Sequence, residues 1–182
     1  MSTTRQAFIC GMIIAAALSR ILPHPPNFAP INAIALFAGS YFADRKLLAF
    51  AVPLLAMLLS DSVLEMMTGW GFHSGMWVIY GCIACTTLIG LRVLAVRTIP
   101  RIACCSILAS LLFFIVTNFA VWVSSGMYPH TPEGFVACYI AALPFFQNSL
   151  AGDAFYSVVL FGGTVVAERA VPSLRQASSV QM

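Results

Sequence analysis

The chain has 182 residues, of which 60% are hydrophobic and only 8% charged, where ordinary soluble domains carry roughly 25% charge. That balance excludes a soluble globular domain and defines an integral membrane protein. The net charge of +3 rests on dispersed arginines, which excludes a nucleic-acid surface, and with no linker, charge block or fixed-period repeat the length fits one transmembrane domain, 1–182.

In chain order, Arg5 and the apolar run from Ala7 to Leu18 have the outline of a secretory signal. More apolar runs follow at once, so the segment reads as a retained first helix, 7–22. The stretch Pro23 to Ala33, PHPPNFAPINA, has four prolines, a histidine and an asparagine on each side of the last proline. Proline fixes φ, removes a backbone donor and pushes the preceding residue out of the α region, so the chain must turn here. This rigid polar elbow is either a connector or a wall of a site. A short span, 31–43, covers about 20 Å at 1.5 Å per residue and must borrow length, tilt little or thin the bilayer. Spans at 47–67, 75–96 and 102–123 approach the ~20 residues needed to cross a hydrocarbon core. Gly134 to Leu150 is aromatic and interrupted at Pro144, and reads as a short helix on or partway into the outer surface. The last span is 153–170. The expected fold is all-α: six transmembrane helices with a short outer-face helix before the last one.

Basic residues orient this arrangement. With the N-terminus inside, Arg5, Arg45, Lys46, Arg92, Arg97, Arg101, Arg169 and Arg175 fall on the inner side and only Arg20 on the outer. This obeys the positive-inside rule and puts both termini in the cytoplasm. The same topology sends His24, His73, His130, Trp70, Trp77, Trp122 and Tyr128 to the outer face. An interfacial belt would place tryptophan on both faces, and the inner face has none, so the outer face reads as a binding face that mixes aromatic walls with a few polar groups.

Charge within the apolar runs points the same way. Asp61 and Glu65 stand at i and i+4 near the outer end of the third span, Asp153 opens the sixth, and Arg20 closes the first. Such groups pair or face a wet cavity, and a salt-bridged cluster of Arg20 with Asp61 or Asp153 is the structural reading. Asn118, Gln147 and Asn148 add uncharged polar groups near that level. Of six cysteines (Cys10, Cys82, Cys85, Cys104, Cys105, Cys138), nearly all lie in apolar runs without zinc-finger or disulfide-framework spacing. Cys82 and Cys85 share one face of the fourth span, with Tyr80 and Gly81 just before them. A thiolate there suits a soft or borderline metal centre, although packing is the usual role of cysteine in a membrane helix.

The blocks PHPPNFAPINAIALFAGSYF, PLLAMLLSD, TNFAVWVSSGMYPHTPEGFVACYIAALPFFQNSLAGD and FYSVVLFGG resemble a family of small bacterial six-span membrane proteins. That family is similar in size and layout to the substrate-binding S components of energy-coupling factor vitamin transporters, and looks most like the solitary cobalamin transporters of Gram-negative bacteria. The resemblance implies an S-component-like bundle in the bacterial inner membrane. Its site would open to the periplasm, walled by the elbow, the loop from Trp70 to His73 and the segment after Trp122. Cobalamin or a related corrinoid would be the bound substrate, carried without the usual ATPase module. A membrane-domain cysteine would ligate cobalt: Cys82 in the best-matching position, Cys85 as the alternative, Cys138 third. A thiolate trans to cyanide would also promote its loss, a cysteine-assisted decyanation. His24, Asn27, Trp70, Phe72, His73, Trp77, Tyr80, Asn118, Tyr128, Gln147 and Asn148 would supply aromatic and amide contacts to an amide-fringed corrin. Two other readings stand beside this one: an S component for another small vitamin working with a shared ATPase module, and a membrane enzyme or scaffold. No P-loop or ATP-binding pattern occurs in the sequence.

Overall fold

A computed structural model describes residues 2–175, which are helical throughout their regular structure, with no strand among them. Helix α1 is Thr3–Leu18, extended by a 3-10 turn at Ser19–Ile21; α2 is Ile31–Tyr41, α3 Lys46–Thr68, α4 Met76–Val93 and α5 Ile99–Ser124. Helix α6, Pro132–Ser157, runs through a π-helical segment, Val158–Gly162, into α7, Gly163–Ala170. Five of these continuous helical stretches are long and apolar enough to cross a membrane, and α2 alone is shorter.

The ends of the helices follow from local chemistry. Ser2 caps α1 by accepting from the Arg5 amide, and Thr131 caps α6 by accepting from the Gly134 amide, with Pro132 in the first turn, where its missing donor costs nothing. Gly69 ends α3 at φ 71°, the left-handed conformation that glycine adopts without a Cβ penalty.

Two expectations change. The segment Gly134 to Leu150 is not a separate outer-face helix, nor does the last span start at 153. Both belong to one 39-residue helical stretch, Pro132–Ala170, about 58 Å long at 1.5 Å per residue. Pro144 lies inside it without ending it. A proline forfeits one backbone hydrogen bond, a loss that neighbouring helices and local 3-10 or π adjustments make good in an apolar setting. Its partner is α5, against which α6 packs as an antiparallel hairpin. Trp122 Nε1 donates to the Pro129 carbonyl at 3.0 Å and Tyr139 to the Ile115 carbonyl at 2.7 Å.

The second change concerns α2. Its eleven residues span only about 16 Å. It needs neither tilt nor a thinned bilayer, because Asn32 through Ser40 are all buried in protein. Ile9, Ile13, Ala16 and Ala17 of α1, Ala49 and Ala56 of α3, Ala109 of α5 and Leu160 and Phe161 of the π segment close around it. Its backbone meets α4 directly: a Cβ on Gly39 would overlap the Thr87 carbonyl, and one on Gly90 would overlap Leu36.

Both described ends of the chain lie at one end of the bundle. Arg5 pairs with Glu168 at 2.6 Å, and Arg97 sits over the Tyr41 ring at 4.4 Å while donating to the Ser40 carbonyl. The elbow, the 69–75 loop and the 125–131 loop lie at the opposite end, as helix order requires.

Candidate functional site

The elbow is a built element, not a slack connector. Phe28 N bonds the Pro25 carbonyl across a turn with Pro26 and Asn27 in its centre, and Asn27 takes φ 63°, which asparagine tolerates better than other L-residues. Asn148 Nδ2 donates to the Pro26 carbonyl at 2.9 Å, and the Phe28 ring packs on Phe155 and Tyr156. Gly152 of α6 has no side chain because the elbow occupies its place: a Cβ there would lie 3.0 Å from Ala29 N. On the other side, Arg20 anchors the elbow's root to α3. One guanidinium nitrogen donates to Asp61 at 2.5 Å and to Ser60 at 2.6 Å, and Tyr80 donates to the second Asp61 oxygen at 2.7 Å.

Between this docked elbow and the α5–α6 hairpin lies a cavity of about 500 Å³. The elbow and its flanks contribute Arg20, His24, Asn27, Ala29, Ile31 and Asn32; α3 and the loop after it contribute Leu64, Thr68 and Trp70, and α4 gives Ile79. The hairpin supplies Phe113, Phe114, Thr117, Asn118 and Val121 on one arm and Ala142, Phe145, Phe146, Ser149 and Asp153 on the other. The Phe114 and Phe146 rings, 4.6 Å apart and tilted by 35°, join the two arms across the wall.

The deep end of the cavity is polar. Asp153, 2% exposed, accepts from Asn32 Nδ2 at 2.8 Å and from Ser110 Oγ at 2.6 Å. It also accepts from the backbone amides of Asn32 and Ala33, so it serves the first turn of α2. The N-cap residue of α2 is Pro30, which has no side-chain hydrogen bond to offer, and a carboxylate from another helix takes over that function. Ser110 lies fourteen residues from the outer end of α5, about 21 Å along the helix.

Of the residues expected at a site, Arg20, His24, Asn27, Trp70, Asn118 and Asp153 line this one cavity. Trp70, 85% exposed, stands at its rim. The others are placed elsewhere. Tyr80 is committed to Asp61, Asn148 holds the elbow, and Gly75 N donates to His73 Nδ1 within its own loop. Phe72, Trp77 and Gln147 are exposed and Tyr128 is half-buried, all outside the lining. Cys82 is buried at 3% exposure and does not reach the cavity; it lies three residues, one turn, beyond Ile79 on α4. Cys85 is exposed outside the cavity, and Cys138 points its thiol at the Asn118 carbonyl. Among the described residues, no group of three or more His, Cys, Asp or Glu is arranged to hold a metal ion.

The expected charge cluster divides into three. Arg20 pairs with Asp61, not with Asp153. Glu65 is an internal clamp, accepting the Gly71 and Phe72 amides at 2.9 and 3.0 Å. Asp153 stands apart with neutral partners. Sequence reasoning passed over Asn32, Ser110, Thr117 and Ser149; a polar residue inside a run of small apolar ones, as in PINAIA, is the signal that marks Asn32.

Fold and cavity together define an all-α membrane-type bundle with a polar-floored recess at one end. The chain belongs to a family of unknown function (DUF6580), whose model matches residues 1–174. Among curated proteins and among solved structures, nothing matches the chain.

Proposed function

We propose that this protein is the membrane-embedded binding component of an uptake system for a small, vitamin-sized solute. One observation carries the reading: a recess of about 500 Å³, walled by aromatic rings and a docked proline elbow, ends on a buried carboxylate within apolar helices. Ionisable groups at such depth face bundle interiors or pathways, and pockets of 300–1,000 Å³ hold drug-sized ligands. The likeness of the sequence to S components supports an uptake role. The charge pattern supports a bacterial inner membrane with both termini cytoplasmic and the recess open to the periplasm, since eight of the nine Lys and Arg residues fall on the side of the termini.

The corrinoid reading keeps one specific support, the position of Cys82 a single turn behind the Ile79 wall. A cobalamin is much larger than the recess, so a thiolate–cobalt bond requires Ile79 and the α4 wall to move aside. Binding assays on purified protein in nanodiscs separate the two. Small water-soluble vitamins should raise the unfolding temperature and cobalamin should not; Cys82→Ser should leave that response unchanged. Corrinoid absorption that co-purifies with wild type and shifts in Cys82→Ser would establish the second reading instead. No response to any vitamin would defeat both.

A further inference from the structure

We propose that the recess selects an organic cation rich in N–H donors, an aromatic nitrogen heterocycle with a protonated ring or amino group, and that Asp153 is its counter-charge. This deepens the reading of the recess as a solute site and rests on it.

The first support is the charge left on the wall. Arg20 reaches the recess, but Asp61 at 2.5 Å cancels it. His24 stands at the mouth, above the floor, its ring nitrogens 2.9 and 3.2 Å from the backbone carbonyls of Pro25 and Arg20, to one of which the neutral ring donates. Asp153 remains, and every partner it has is neutral: the Asn32 amide group, the Ser110 hydroxyl and two backbone N–H groups. These donors fix the carboxyl in place, and none of them is a cation. A carboxylate within apolar helices pairs or faces a wet cavity, and an entering cation would be the partner that Asp153 lacks.

The second support is the sense of the hydrogen bonds, which is independent of charge. Thr117 donates its hydroxyl hydrogen to the Phe113 carbonyl at 2.7 Å and Ser149 donates to the Phe145 carbonyl at 3.1 Å. Asn118 donates from its NH₂ to the Phe114 carbonyl at 2.8 Å, which keeps its own carbonyl oxygen for a ligand. With their hydrogens used within their own helices, the two hydroxyls offer only lone pairs to a ligand. The N–H groups left over, the second hydrogens of the Asn32 and Asn118 amides and the Arg20 nitrogens other than the one bound to Asp61, can serve an acceptor on the same ligand. The faces of Phe113, Phe114, Phe145 and Phe146 suit a flat cation, because an aromatic ring attracts positive charge to its face.

The test uses the full chain in nanodiscs and ligands matched in shape but not in charge: 4-aminopyridinium, nicotinamide and nicotinate. Binding is followed by tryptophan fluorescence, with Trp70→Phe identifying signal from the recess, and by thermal shift. The cation should bind at least tenfold tighter than either partner, and Asp153→Asn should abolish that preference. Asn118→Leu, which leaves Asp153 and the α2 cap intact, should weaken the cation without admitting the anion. Tighter binding of nicotinamide or nicotinate through Trp70 overturns the cation proposal and leaves the solute site standing. Cation preference that survives in a folded Asp153→Asn protein overturns the role of Asp153. Failure of all three ligands to bind overturns the cation proposal, while the vitamin series decides the solute site on its own. If Asp153→Asn does not fold, the wild-type ranking and Asn118→Leu decide.

Discussion

Arg20→Met tests whether the elbow's root is held by an ion pair or by packing alone. The side chains of Arg20 and Asp61 are 16% and 7% exposed, so solvent screens them little. Removing one partner of a buried pair costs 3–5 kcal/mol, since a charge is left without compensation. Tyr80 still donates to Asp61 at 2.7 Å, which places the loss at the low end, about 3 kcal/mol. Asp61→Leu should cost a similar amount by stranding Arg20. The double variant leaves no stranded charge; it loses the Tyr80 bond and the packing of the arginine stem, again about 3 kcal/mol. The two single losses together then exceed the double loss by about 3 kcal/mol, the coupling energy of the pair. An uncharged hydrogen bond between membrane helices couples by only ~0.6 kcal/mol on average. Reversible unfolding in bicelles, measured for wild type, both single variants and the double, gives this number directly. A coupling below about 1 kcal/mol, in the range of ordinary intramembrane hydrogen bonds, would refute the clamp. Hydrogen exchange at Phe28, the amide that closes the elbow turn, should rise in Arg20→Met ahead of exchange in α2.

Other substitutions follow from close contacts. Gly152→Val should push the elbow off α6, because even a Cβ meets Ala29 N at 3.0 Å; ligand response in the recess should fall with a stability loss of about 1–3 kcal/mol, the usual range for overpacking. Gly39→Ala and Gly90→Ala should each separate α2 from α4 and lower the unfolding temperature, whereas Gly81→Ala, which meets nothing within 4 Å, should not. Glu65→Ala frees the Gly71 and Phe72 amides; proteolysis within 69–75 should accelerate while the rest of the bundle keeps its protection.

Most of the fold was legible because composition and apolar run length are set directly by the bilayer: five of the six predicted spans match helices with shifts of a few residues at their ends. The sixth failed at Pro144. In an aqueous helix that proline and the polar pair Gln147–Asn148 would mark a break, but packing against α5 carries the helix through them. The elbow was readable as a turn from its prolines, and its place at the wall of a recess follows from Asn148 and Gly152, more than 120 positions away, which no local pattern announces. Asn32 was hidden for the same reason: its neighbours look like those of any membrane helix, and only the meeting with Asp153 and Thr86 gives it a function.

The polar groups at the elbow end share residue types but divide by where their hydrogen bonds go. Asp61, Glu65, Tyr80, Asn148 and Trp122 are satisfied within the protein, and each joins two segments that would otherwise slide: α1 to α3, α3 to its loop, α4 to α3, α6 to the elbow, α5 to the turn before α6. Thr117, Asn118, Ser149 and Asp153 bond within their own helices or to the start of α2 and line the recess. Composition cannot separate these two sets, because an aspartate in an apolar run looks alike in both. Partner identity does separate them. A carboxylate matched by a guanidinium, as Asp61 is, is spent on architecture, whereas Asp153 is held by neutral donors alone and is the group on which the proposed cation preference rests.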